Sequence, residues 1–336
     1  MQMNGAFVLV ALAAAIGAAV RGAGAPAPAG VLLVANKGDH TLGIVDPAAG
    51  RMVATVTQSG VTGHEVVASR DGKTAYVPIY GDSGVGQPGS DGRTMDVIDV
   101  ATRKRVATVD FGSGQRPHHA LFGADGRLYV TAEITNSIKV VDPRTNTVVD
   151  TIPTGQPESH MLVLSKDGRR AWTSNVGAGT VSAIDIPTKS VAAVIHVAAR
   201  AQRIALSVDE RWVFTADQDA PRLAVIDTKT RKLAPGVALP GIAYGTAPTP
   251  DGRWLLVTLP GLSQLSVLDL KSMEIARTLD VPRSPQEVLV RPDGRVAYVS
   301  CDASGQVAEI DLAEWKVTRL IPAGPQVDGM AWAPQP

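Results

Sequence analysis

Histidine is scarce in this chain, six residues in 336, yet His64, His118 and His160 occupy one equivalent position of a repeated segment. Histidine placed without regard to that repeat would fill about 0.1 of its seven slots. In repeat order the slots hold Asp328, His64, His118, His160, Gln202, Tyr244 and Gln286. Three imidazoles and a carboxylate form a donor set suited to Zn²⁺, Cu²⁺ or Fe²⁺. The expected metal ligands are therefore His64, His118, His160 and Asp328, with Gln202, Tyr244 and Gln286 offering amide and phenol groups to an organic ligand.

The elements that must position these residues follow from the period. Each of the six slots from His64 to Gln286 lies seven residues before a turn: Asp71-Gly72, Asp125-Gly126, Asp167-Gly168, Asp209-Glu210, Asp251-Gly252 or Asp293-Gly294. From position 118 the spacing is 42 throughout, it is 54 between 64 and 118, and one further step from Gln286 reaches Asp328. A fixed period of this size marks a repeat architecture. Within each unit the apolar runs are short, rich in β-branched residues and bounded by turn residues, which predicts strands rather than helices. Aspartates close the third run of every unit: Asp46, Asp99, Asp142, Asp185, Asp227, Asp269 and Asp311.

Four strands and four short connections account for one repeat. Such units arranged radially make a β-propeller, which leaves only short sheet edges. The expected fold is all-β, a seven-bladed β-propeller with four-stranded blades over residues 30–336. The first unit lacks the strand that precedes Asp-Gly in the others, and residues 327–333 should supply it and close the ring. The strand before Asp-Gly is innermost, so the arc should sit at one mouth of the central channel. The competing expectation is that these side chains line a hydrated channel and bond only to water and backbone. Counting across each hairpin places Glu133 beside His118, Asn175 beside His160 and Asn36 beside Asp328, where each would orient its neighbour. His119 and Glu65, one place later, should point elsewhere and be structural.

Tyr129-Val-Thr-Ala132, Tyr298-Val-Ser-Cys301, Trp172-Thr-Ser-Asn175 and Val34-Ala-Asn36 read as degenerate copies of one Tyr-Val-Thr-Asn repeat. With the Asp-Gly turns and the Val-Ile-Asp strands, residues 30–336 resemble the YVTN-type seven-bladed β-propeller proteins. The resemblance implies a surface or periplasmic protein. Related propellers are lactonases, lyases or hosts for copper in their hubs, so fold analogy leaves the activity open.

Residues 6–20 form an unbroken apolar and small-residue run, followed by Arg21 and an Ala/Pro/Gly stretch. This reads as a signal peptide over residues 1–29 and places the mature protein in the periplasm or outside the cell. The run is too short for a comfortable membrane span, so none is expected in the mature chain. Lys+Arg and Asp+Glu both number 32, which gives no strong field for nucleic acid. One cysteine, Cys301, excludes an internal disulfide framework and any multi-cysteine metal site.

The extra twelve residues of the second unit fall within residues 81–92 and could fold over the arc as a lid. Gly81-Asp-Ser83-Gly84 and Gly84-Val-Gly86-Gln-Pro-Gly89, inside it, lack the strand-to-helix context that a protease or dinucleotide motif requires. Arg203 and Glu287 could bind an acidic substrate or serve acid-base roles, interblade pairing being the commoner use. Cys301 should face Gln286 as a small apolar residue. His40 and His196 should be solvent-exposed, and Trp172, Trp212 and Trp254 should pack between blades.

Three functional classes follow: an envelope protein binding a transition metal or small molecule, a metal-dependent hydrolase or lyase using the same arc, or an interaction scaffold for another envelope protein.

Overall fold

A computed structural model describes residues 29–82 and 84–335. The signal-peptide expectation and Ser83 of the protease-like motif lie outside them. Seven four-stranded antiparallel sheets make seven blades. The first is built from both ends of the chain: Val327–Pro334 is its innermost strand, paired with Gly30–Asn36, followed by Thr41–Asp46 and Arg51–Thr57. Its register sets Leu32 opposite Trp332 and Leu33 opposite Ala331.

The turn chemistry is the one the repeated aspartates call for. Asp46, Asp99, Asp142, Asp185, Asp227, Asp269 and Asp311 each accept backbone N–H groups two or three residues on, as from Ala48 and Ala49 to Asp46. These Asx turns set where the third strand ends and the fourth begins. The fourth strand lies outermost, and its alternating burial, as in Thr147–Pro153, shows one face in solvent.

Packing holds the ring. Each of the seven blade-to-blade interfaces carries its own apolar cluster. Between the last and first blades Tyr298 and Val307 meet Leu32, Val34 and Met330. Trp172 and Trp254 are buried in such clusters and Trp212 packs against one, as expected. Stability is thus a sum over neighbouring blades, with both terminal surfaces consumed when the ring closes.

At the channel the inner strands depart from regular pairing. Their registers shift between Pro117 and Ala120, Ser159 and Met161, Ala201 and Ile204, and Pro285 and Val288. A further shift falls opposite Asp328, between Val34 and Asn36. A bulge inserts an extra residue and re-aims the side chains around it. Two successive residues per blade can therefore reach the hub where a regular strand would offer one.

A buried hydroxyl fixes several of these bulges. Thr131 Oγ1 accepts the His119 N–H at 3.0 Å and donates to the His160 carbonyl of the next blade at 2.7 Å. Thr258 repeats this with Gly245 N–H and the Gln286 carbonyl, both at 2.7 Å. Ser174 donates to the Gln202 carbonyl, and Ser300 accepts from Glu287 N–H at 2.9 Å. At Thr131, Ser174 and Thr258 the hydroxyl position of the repeat thus staples neighbouring blades at the hub, while Ser300 bonds within its own blade.

Candidate functional site

The channel mouth gathers most of the predicted arc. His118 and His160 stack with ring centroids 3.7 Å apart, and His64 meets His118 edge-on at 5.4 Å. Tyr80, fully buried, packs against His64 at 4.6 Å and His118 at 5.1 Å. Gln202 continues the chain of contacts, its Nε2 lying 3.3 Å from His160 Nε2 and 3.4 Å from the Tyr244 hydroxyl. Gln286 stands apart: its amide donates to Ser284, at 3.0 Å to the hydroxyl.

Glu133 is bonded one blade further than hairpin counting predicts. Its Oε1 lies 3.2 Å from His160 Nδ1 rather than beside His118, and its Oε2 accepts the Tyr80 hydroxyl at 2.6 Å. Asn175 bonds Ser159 at 2.8 Å, and Asn36 bonds Thr41 and the Gly324 N–H, so neither stands behind the expected partner. The bulges cause this difference, because they break the residue count across the hairpins. His118 Nδ1 is buried without a hydrogen-bond partner.

Asp328 belongs to a second group in the hub. Arg203 Nη2 donates to its Oδ1 at 3.1 Å, and Lys37 Nζ stands 3.0 Å from its Oδ2. Arg203 Nη1 also donates to Glu65 at 2.6 Å and Glu287 at 3.0 Å, while its guanidinium lies 4.5 Å over the Tyr244 ring. Four blades thus contribute one charged cluster. Glu65 is turned into the hub rather than away from it, and Arg203 and Glu287 pair between blades. Gly329 permits the approach: its N–H donates to the His64 carbonyl at 2.9 Å, and an added Cβ would stand 2.6 Å from Glu65 Oε2.

Burial sets the electrostatics. Desolvation pushes His64 down to about 3, partly offset by Asp328 and assisted by Lys37. Desolvation also carries His118 well below the usual range, with the neighbouring His160 and His64 adding to it, and takes His119 to about 3. These three imidazoles are neutral at physiological pH. Burial raises Glu65 well above the carboxylate range and raises Glu287 too, with Arg203 opposing in both. For Asp328 burial is outweighed by Lys37 and Arg203, which keep it below its ordinary value. Lys37 stays protonated because Asp328 outweighs its own desolvation.

A cavity of about 350 Å³ opens at this mouth, lined by Lys37, His40, Thr62, His64, Asp82 and Gln326 among others. His40 lines it and accepts the Thr62 N–H on Nδ1 at 3.2 Å, whereas His196 is exposed as expected. The insertion lies over the same face. Arg116 secures it, donating to Asp91 and to the Gln87 carbonyl at 3.1 Å, with its guanidinium 5.4 Å over Tyr80. Cys301 is fully buried among apolar side chains opposite Pro285, its thiol pushed up to about 12 by burial.

Tyr80 and Lys37 were not expected at the site, whereas Arg203 and Glu287 stand paired between blades, one of the uses expected of them. Tyr80 had a sequence signal, an aromatic beside the insertion in a chain with few aromatics. Lys37 had none, because its role depends on how the strands bulge. Among the described residues, no set of three or more His, Cys, Asp and Glu side chains is arranged as metal ligands. No helix among them is long and apolar enough to cross a membrane.

A family described as "Lactonase, 7-bladed beta-propeller" matches residues 40–240. No curated protein matches the chain at a significant level. Among solved structures it is similar to Kuenenia stuttgartiensis hydrazine synthase, with a TM-score of 0.74 and 19% identity over 84% of this chain and 93% of that one. It is similar to a functionally unknown protein from Desulfotomaculum acetoxidans, with a TM-score of 0.75 and 12% identity over 92% and 100% of the two chains. It also resembles the dihydro-heme d1 dehydrogenase NirN in complex with DHE, with a TM-score of 0.66 and 16% identity over 90% and 75%. At these identities the structural likeness is one of fold.

Proposed function

The chain belongs to the seven-bladed β-propeller lactonase family, and on that premise we propose that it binds and opens a small lactone at the histidine-lined mouth. The observation that carries this reading is that Lys37 and a neutral His64 both line one cavity. An ammonium and an imidazole N–H are suitable donors for a carbonyl oxygen that becomes an oxyanion during attack. Imidazole basicity this low suits His64 to polarising the carbonyl rather than to removing a proton from water. Asp82, which lines the same cavity, would take that proton. Water forms the new C–O bond, the ring C–O bond breaks, and the proton passes to the departing ring oxygen. Gln202 and Tyr244, joined to the histidine cluster through His160, would hold polar substituents of a ring that reaches deeper into the hub. Gln286, turned toward Ser284, has no such role here. The test is turnover of a panel of five- and six-membered lactones by the wild type and His64→Ala.

A second reading, a transition metal (Cu, Zn or Fe), is favoured by one observation: the unpartnered His118 Nδ1 inside a three-histidine cluster. Binding through His64, His118, His160 and Asp328 would require Asp328 to leave Arg203 and Lys37. Elemental analysis of the purified protein distinguishes the two readings. The Tyr-Val-Thr-Asn-like repeats further suggest a YVTN-type member. The apolar run of residues 6–20 supports export to the periplasm or beyond the cell, where a small-molecule substrate or another envelope protein would be the partner.

A further inference from the structure

The hub's opposite side carries a second cavity, larger than the mouth site, at about 450 Å³. This volume falls in the range of about 300–1,000 Å³ usual for small-molecule sites. Its walls come from the inner strands of five successive blades and include Leu121, Val163, Leu206, Pro248 and Leu289, all partly exposed. Arg203, Glu287 and His119 also line it, so a mostly apolar funnel has a small polar floor.

That floor is short of one partner. Arg203 is 3% exposed, its two terminal nitrogens are taken by Glu65, Glu287 and Asp328, and its Nε is buried with no acceptor. Glu287, with 21% of its side chain exposed, is the most accessible of the three carboxylates. A buried donor without an acceptor is costly, and a ligand oxygen could satisfy it.

We infer that the funnel is a second ligand site, for a neutral amphiphile whose apolar body fills the walls and whose hydroxyl-type head meets Glu287 and Arg203. Charge decides between heads. An anionic head would face Glu287 and a guanidinium already shared among three carboxylates, and a cationic head would face Arg203 itself. A hydroxyl adds no buried charge, donates to Glu287 and accepts from Arg203. This site is independent of lactone turnover at the mouth.

Calorimetric titration of the purified protein with 1-octanol, octylamine and octanoate tests this. Saturable one-to-one binding of 1-octanol is expected, with both charged homologues at least tenfold weaker. Leu206→Trp, which fills the funnel, should abolish it, and His64→Ala should leave it unchanged. Because Leu206→Trp could unfold the blade, crystals soaked in 8-bromo-1-octanol give a second readout. The bromine should lie among Leu121, Val163 and Leu289, with the hydroxyl against Arg203 and Glu287. Absence of binding, equal binding of the ions, or bromine outside the funnel would overturn the inference.

Discussion

Arg203 and Asp328 meet at 3.1 Å across the channel although 125 positions separate them in the chain. The same guanidinium holds Glu65, 138 positions away, and Glu287. One arginine thus neutralises carboxylates from three other blades, and the hub depends on it. Removing one partner of a buried ion pair costs about 3–5 kcal/mol. Arg203→Met should therefore lower the denaturant midpoint strongly at pH 7. Without the guanidinium the carboxyls take up protons more readily, so the deficit should shrink at pH 5. Equal destabilisation at both values, measured by urea unfolding, would show that the charges do not govern the loss.

Acid should also act through the imidazoles. His64 and His119 are depressed to about 3 by burial and His118 lies well below its usual range, whereas the unfolded chain titrates near 6.5. Below about 6.5 the unfolded state takes up protons that the native state refuses, so stability falls with pH. Each such histidine removes up to about 1.4 kcal/mol per pH unit in this window. Unfolding at pH 7.5, 6.0 and 5.0 should show a steady decline, and a flat profile would place these rings in solvent.

The extent to which the site was legible in the sequence follows the same division. The Asp-Gly and Asx turns are local chemistry, so their period revealed seven blades, and the ring slots brought His64, His118 and His160 together as expected. The bulges are not local. They depend on hydroxyls such as Thr131 reaching the next blade, and they moved Glu133 to His160 and turned Glu65 and Arg203 inward. Counting across regular hairpins has no means of showing this. Asp328 lies at the hub as expected and Arg203, beside the slot at Gln202, stood out as a charged candidate, yet Lys37, which also engages Asp328, carried no signal in the repeat.

Arg116 pins the insertion through Asp91 and the Gly84 and Gln87 carbonyls. In Arg116→Ala, residues 84–90 should be cut several-fold faster in limited proteolysis while the remaining blades stay resistant. Unchanged cleavage would mean that other contacts hold the loop.

Ring closure rests on Val327–Pro334 pairing with Gly30–Asn36. Deleting residues 326–336 exposes the edge of the first blade and its cluster with Tyr298 and Val307. The shortened chain should lose cooperative unfolding or aggregate. A calorimetric melt indistinguishable from that of the full protein would contradict the shared blade.

The central claim, lactone opening by Lys37 and His64 at the channel mouth, is tested most directly by turnover in chelator-treated protein. Ring opening of five- and six-membered lactones releases acid and can be followed in a pH-stat. The wild type stripped of metal should retain full activity, His64→Ala should lose about a hundredfold in kcat, the usual cost of one oxyanion donor, and His196→Ala should match the wild type. Activity that vanishes on chelation and returns with Zn²⁺ or Cu²⁺ would contradict the account and favour the metal reading, and no turnover of any lactone would remove hydrolysis altogether.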